Sequence, residues 1–343
     1  MIEEERYIIE VAEESVPEEP KDDTNRFPVK AQLLLIGGLL LLMFTGFVVP
    51  QTLALLGGDG NQAGIEISSE DAVANVAANT PKKIESVNLT ADAAYVFDVV
   101  GQRVLYEKNA DSVLPLASIT KLMTALVAYE LVPDNTRVTI TEAAAAQQSG
   151  GGFVAGESFE VKELADYALI SSFNSASYAL AVTVGTLLGD EDPLAQFVAA
   201  MNITAEELNL PSLDYRNPTG LDISLTEAGA YGTARDTSFL MEHILKKYPE
   251  ILTPTVEPYT RLYNTAGDFH EAYNTNSALA EIPNLLGSKT GYTDLAGGNL
   301  TIAFDAGYNR PIIITVLGST RNERFADVKK LVSEVQKSMS SQE

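Results

Sequence analysis

Gly287-Ser288-Lys289-Thr290-Gly291-Tyr292, followed by Leu300-Thr301-Ile302-Ala303-Phe304 and Ile312-Ile313-Ile314-Thr315-Val316, is the stretch from which the fold can be read. The last two runs are rich in β-formers and flank the turn-forming Gly307-Tyr308-Asn309-Arg310-Pro311, which predicts a hairpin. If the first run is also a strand, Lys289 and Gly291 share one of its faces. A second hairpin is predicted far upstream, where Ala94-Tyr95-Val96-Phe97 and Arg103-Val104-Leu105-Tyr106 are separated by Val100-Gly101-Gln102. Between the hairpins the pattern is helical. Ser118 to Leu131 carries a stripe of Leu122, Ala125, Leu126 and Tyr129, and Val161 to about Tyr248 is mostly helix. Phe325 to Ser338 adds a closing helix. Strands at both ends with helices between predict an α/β (α+β) protein with one mixed, mainly antiparallel sheet, a flanking helical layer and a helical subdomain.

Composition narrows the chemistry. The 343 residues carry a net charge of −24, which disfavours nucleic acid as a partner because a polyanion would be repelled. With no cysteine, disulfides, thiolate metal sites and a Cys nucleophile are excluded. Two histidines, His243 on a predicted helix and His270 in a predicted loop, are too few for most metal cages and leave little room for a His-based triad. A hydrolase of this composition is therefore expected to use serine with lysine as its base.

Three places fit that chemistry. Ser118-Ile119-Thr120-Lys121 opens a helix, which sets hydroxyl and amine one turn apart on one face, beside the backbone donors of a helix start. Lys121 acts as a base only when neutral, so burial or a second cation must lower its pKa. A lone Ser-x-x-Lys carries no weight, since about one is expected by chance in such a chain. Ser172-Phe173-Asn174 interrupts an apolar segment and reads either as an ordinary polar turn or as a hydroxyl and amide able to relay protons and hold a substrate amide. Lys289-Thr290-Gly291 is expected by chance only about 0.1 times. Its lysine supplies the second cation, and its glycine allows a substrate backbone close to the strand edge.

In this order and spacing the three motifs resemble the active-site signature of the penicillin-binding protein and serine β-lactamase superfamily. Within it the chain is similar to the low-molecular-mass D-alanyl-D-alanine carboxypeptidases, from about Ala93 to Val335, with support from Asn217-Pro218-Thr219-Gly220-Leu221-Asp222 and Thr233-Ala234-Arg235-Asp236. The resemblance implies a β-lactamase/transpeptidase-like fold. It makes Ser118 the acylated nucleophile, Lys121 its base, Ser172 and Asn174 proton-relay and substrate-amide residues, and Lys289 the cation on the carboxylate side. Thr290, Gly291 and Tyr292 line the substrate, with an oxyanion hole from the Ser118 and Tyr292 N–H groups, and Arg324, or else Arg321, helps hold a terminal carboxylate. The implied partners are a peptidoglycan stem peptide and, as covalent inhibitors, β-lactams; no metal or other cofactor is implied.

Departures from the family pattern sharpen the expectation. Phe173 replaces a residue that is usually small, which would make the pocket wall bulkier. An arginine common before the Lys-Thr-Gly strand is missing from Tyr273-Asn274-Thr275-Asn276-Ser277, and a second β-rich domain after the closing helix is not expected. A class A β-lactamase would need Glu four residues before Asn209, where Ala205 stands. A cross-link-cleaving endopeptidase and a slow penicillin-binding sensor stay open as alternatives. Gly150-Gly151-Gly152 reads equally as a loop rimming the cleft or as a surface turn.

The N-terminal part is of another kind. Residues 1–30 hold ten acidic and four basic side chains and read as an acidic cytoplasmic tail. The 28 residues between Lys30 and Asp59 are uncharged, and 31–53 is long enough to span a bilayer as an anchor. Lys21, Arg26 and Lys30 precede it, and the next basic residue is Lys82, so the N-terminus is expected in the cytoplasm. A linker over 54–92 would then carry an extracytoplasmic catalytic domain, 93–340, on a single-pass protein of the bacterial cell membrane.

Overall fold

The computed structural model describes residues 81–189, 192–307 and 309–340. The expected tail, anchor and residues 54–80 of the linker lie outside them. The strands that matter are β1 (Ala93–Asp98) and β2 (Arg103–Lys108) near the start, and β3 (Leu285–Thr293), β4 (Gly297–Asp305) and β5 (Pro311–Ser319) near the end. Between them run helices α1 (Lys121–Leu131), α2 (Val161–Ile170), α3 (Asn174–Leu188), α4 (Pro193–Glu207) and α5 (Ala234–Lys247), and α6 (Glu323–Ser340) follows β5.

Among the described residues these strands form one sheet in the order β3-β4-β5-β1-β2, antiparallel at each pairing, so the expected mixed sheet is antiparallel throughout. Two hairpins joined edge to edge explain this, because β1 enters beside β5 running the opposite way. Every position of β1 is buried, since both faces of the sheet are covered. Tyr95, Phe97, Ile313 and Leu317 face a core shared with α1 and α5, whereas Val96, Leu300, Ile302, Ile314 and Val316 face Val328, Leu331 and Val335 of α6. That division accounts for the unbroken apolar run Ile312–Ile314, which a sheet wet on one face would not tolerate.

Three expectations need correction. Helix α1 is not amphipathic along one stripe: Lys121 to Ala128 are all buried, because α2 and α3 cover the side left for solvent. The linker stops being a tether before residue 92. The Ile84 N–H donates to Leu105 O at 2.8 Å, Leu89 and Ala91 are buried, and the buried Asp327 carboxylate accepts from the N–H groups of Thr90 and Ala91 at 3.0 and 2.8 Å. Short polar residues hid this, since backbone hydrogen bonds to a buried acid leave no apolar pattern. His270 lies in a strand, Phe269–Tyr273, paired antiparallel with Tyr259–Tyr263, rather than in a loop.

Candidate active site

The sequence enters the site through a strained turn. Residues Ala117–Thr120 form a single 3₁₀ turn ahead of α1, and Ala117 sits at φ +48°, a conformation that costs an L-residue energy unless its surroundings impose it. Gly220 and Gly291 are those surroundings. A Cβ on Gly220 would lie 1.9 Å from Ala117 O, and one on Gly291 would lie 2.8 Å from Leu116 O. Only glycine lets the 217–222 loop and β3 close on the turn from two sides.

On this turn Ser118 is half-buried, and Lys121 Nζ lies 2.8 Å from its Oγ. The Lys121 amine also donates to Asn174 Oδ1 at 2.8 Å and to Thr219 O at 2.7 Å. Complete burial pulls its pKa down to about 7. Asn174 opens α3, and its amide is fixed from the other end, where Nδ2 donates to Gln148 O at 2.7 Å. Each end of the Asn174 amide thus has one protein partner, the side chain is nearly fully enclosed, and the second Nδ2 hydrogen is left for the expected substrate amide.

Ser172 joins α2 to α3 at φ +61°, and its hydroxyl accepts from Lys289 Nζ at 2.8 Å. Lys289 also donates to Thr290 O at 2.9 Å. Burial pulls the Lys289 amine well below its ordinary value, and the charges of Lys121 and Arg324 pull it further. Burial is thus the first cause of the lowered pKa at both lysines. Repulsion between the two amines is mutual and adds to the effect of burial. Ser118, Lys121, Ser172, Asn174 and Lys289 are brought into one cleft by two direct links, Lys121–Asn174 and Lys289–Ser172.

Along the cleft wall, Thr290 Oγ1 lies 2.6 Å from Thr275 Oγ1, and Tyr292 is exposed under the Arg321 guanidinium. Arg324 comes from the first turn of α6, is buried, and donates through Nη1 to Gly291 O, while its buried Nε has no partner. Enclosure lowers its pKa to about 10. The Phe173 ring turns into an aromatic cluster, 6.0 Å from Tyr167 and 6.1 Å from Phe153, and a Cβ on Gly151 would strike it. The glycine-rich loop is thus packed against the start of α3 and holds Asn174 through Gln148. Around the end of β3 a cavity of about 590 Å³ is lined by Gln148, Leu221, Leu225, Tyr292 and Leu295.

The sequence reading missed Thr219, Asn217 and Gln148. Thr219 and Gln148 act through backbone carbonyls, which no side-chain motif advertises. Asn217 did leave a signal, because Asn-Pro-Thr-Gly is turn chemistry: its Oδ1 accepts from the N–H groups of Thr219 and Gly220 at 3.1 and 2.8 Å and so aims Thr219 O at Lys121.

A serine and an enclosed lysine at a helix start, beside a second lysine on the edge strand of such a sheet, define the penicillin-binding protein and serine β-lactamase class. The ampicillin-bound form of penicillin-binding protein D2 from Listeria monocytogenes is similar at TM-score 0.61 and 28% identity, over 73% of this chain and 99% of that one. The profile of the D-alanyl-D-alanine carboxypeptidase family matches residues 76–321, and the chain belongs to that family. It is 35% identical over 259 residues to the carboxypeptidase DacF of Bacillus subtilis, covering 73% of this chain but 63% of that protein. It is 29% identical over 253 residues to a D-alanyl-D-alanine endopeptidase of Pseudomonas aeruginosa, covering 71% of this chain and 76% of that protein.

Proposed function

We propose that the chain is a serine-type D-Ala-D-Ala carboxypeptidase that removes the terminal D-Ala from peptidoglycan stem peptides through an acyl-enzyme on Ser118 and is acylated there by β-lactams. The observation that carries this reading is the set of three oxygens around Lys121 Nζ. Asn174 Oδ1 and Thr219 O can only accept, so a neutral amine spends its two N–H groups on them and leaves its lone pair facing Ser118 Oγ. The Ser118 hydroxyl then donates to Lys121 and loses its proton to it as Oγ attacks the penultimate D-Ala carbonyl carbon. The N–H groups of Ser118 and Tyr292 receive the oxyanion. Ser172 relays a proton to the departing D-Ala amine, and water hydrolyses the ester.

Because β3 is an edge strand, its free side can pair with an extended stem peptide, whose terminal carboxylate would lie toward Lys289, Thr290 and Arg324. A carboxylate there would raise the Lys289 pKa again. The rate of acylation by a neutral β-lactam should rise with pH through about 7 and level off above it, since the base is the deprotonated Lys121. A rate independent of pH between 5 and 9 would remove Lys121 from that role.

In this reading residues 31–53 anchor the chain in the bacterial cell membrane, with 1–30 in the cytoplasm and the catalytic part outside. Incubation with a labelled β-lactam should give one adduct, located by mass analysis on Ser118 and absent from Ser118→Ala, and a pentapeptide ending in D-Ala-D-Ala should release D-Ala. An adduct elsewhere, or no release, defeats the proposal. Cleavage of cross-links is the second reading, since a D-alanyl-D-alanine endopeptidase is also among the similar proteins. Turnover of a cross-linked dimer faster than of the pentapeptide would select it.

A further inference from the structure

We infer that the outer face of the hairpin formed by Tyr259–Tyr263 and Phe269–Tyr273 binds the polysaccharide strands to which the stem peptides are attached. The inference rests on the proposed carboxypeptidase reading for its choice of polymer, and on the hairpin itself for the rest. The pairing puts Tyr259 opposite Tyr273, Arg261 opposite Glu271 and Tyr263 opposite Phe269, all six on one face. The four rings are between 36% and 60% exposed. Among the described residues the only other aromatic ring this exposed is Tyr292, in the cleft, so the clustering is a property of this face rather than of the surface at large.

The opposite face is built in. Leu262 and Ala272 are buried, and Tyr167 Oη donates to Leu262 O at 3.0 Å, so the hairpin is a fixed shelf on α2. On the outer face the polar groups satisfy one another. Tyr259 Oη and Tyr273 Oη donate to the two oxygens of Glu271 at 2.9 Å each, and Arg261 Nε donates to Tyr259 Oη at 2.9 Å. The Arg261 guanidinium also lies over the Phe269 ring at 4.5 Å. These contacts hold the rings in place, with their exposed apolar parts rimmed by hydrogen-bonding groups.

A hexose ring is the matching shape, with an apolar C–H face and a polar hydroxyl or acetamide edge. The two ring pairs are four residues apart, about 13 Å along the strand, which suits sugars two to three places apart on one polymer rather than a single sugar. A polyanion is disfavoured by the net charge of −24, whereas a glycan strand whose lactyl carboxyls are tied up in amide bonds to stem peptides has no charge on its sugars. A bilayer would have to accept the Glu271 carboxylate among its headgroups. Location completes the argument. Ser171, the neighbour of Ser172, donates to Tyr273 O at 3.0 Å, and Thr275, two residues past the hairpin, reaches Thr290, so a strand lying here runs along the cleft wall.

The test uses the full chain and soluble β-1,4-linked N-acetylglucosamine oligosaccharides, a neutral stand-in for the glycan, because amidase-stripped strands carry a free carboxylate on every second sugar. The wild type should bind them, and Tyr263→Ser with Phe269→Ser should weaken binding by about tenfold or more. Both proteins should take up a labelled β-lactam on Ser118 equally and release D-Ala from free pentapeptide equally, which also shows that the variant is folded. On polymeric peptidoglycan the variant should show a raised KM with kcat unchanged. Equal glycan binding by both proteins overturns the inference. So does a variant whose only loss is binding to phospholipid vesicles, or dissociation of a dimer seen in sedimentation. Ring-dependent glycan binding without D-Ala release would sink the carboxypeptidase reading and leave this one standing.

Discussion

Lys121→Met should lower the rate of Ser118 acylation by ~10²–10⁴-fold, the usual worth of a positioned general base. Adding Ser118→Ala should cost nothing further beyond the complete loss caused by that change alone, because the two groups act as one unit. Methionine keeps the length of the side chain and removes the amine, so a second readout separates lost chemistry from lost structure. The buried amine has a pKa of about 7 in the folded chain, against an ordinary value of 10.5 when unfolded. Between those values the unfolded chain holds a proton that the folded chain does not. Rising pH therefore stabilises the wild type over this window, by at most about 1.4 kcal/mol per pH unit. Below pH 7 both states are protonated, the full cost of enclosing Lys121 is present and the slope vanishes. Lys121→Met lacks this contribution, so the difference in unfolding free energy, wild type minus variant, should grow from pH 7 to 10. Parallel stability curves over that range would mean that Lys121 is not enclosed, and an unchanged acylation rate would mean that it is not the base.

What could be read from the sequence follows a physical division. The hairpins 93–108 and 297–319 and the helix at Lys121 were legible from β-branched runs around turn residues and from apolar periodicity. Ser118, Lys121, Ser172, Asn174 and Lys289 stood out as candidates only through the joint order and spacing of three short motifs and the family these resemble. The outer hairpin 259–273 was not. Its exposed positions are Tyr, Arg, Tyr, Phe and Glu while its inward ones include Thr and His, so the alternation that marks a half-buried strand is inverted. The burial of α1 on every side could not be foreseen from its own residues, since it depends on helices that arrive later in the chain. Thr219 and Gln148 serve through carbonyl oxygens, which every residue has. Spacing can place two amines together and so anticipate a lowered pKa, but only the folded chain shows that burial is its first cause at both Lys121 and Lys289.

The support beneath the nucleophile can be probed without touching any catalytic group. Gly220 and Gly152 both lie in the left-handed region, at φ +75° and +78°, so replacing either with alanine incurs the same backbone cost of about 1–2 kcal/mol. They differ in what a methyl group would meet. At Gly152 there is nothing within 4 Å, whereas at Gly220 the methyl would lie 1.9 Å from Ala117 O and 2.6 Å from Thr120 Oγ1. Relief requires either the 117–120 turn to move, carrying Ser118, or the 217–222 loop to move, taking Thr219 O from Lys121. A displacement of about 1 Å suffices for a ~10²-fold loss in rate. Gly220→Ala should therefore slow β-lactam acylation by at least about 10²-fold and cost about 2–4 kcal/mol of stability. Gly152→Ala should lose only the backbone share and acylate at nearly the wild-type rate. Equal effects of the two substitutions on acylation, measured on protein that circular dichroism shows to be folded, would mean that the close contact between Gly220 and Ala117 does not hold the turn that presents Ser118.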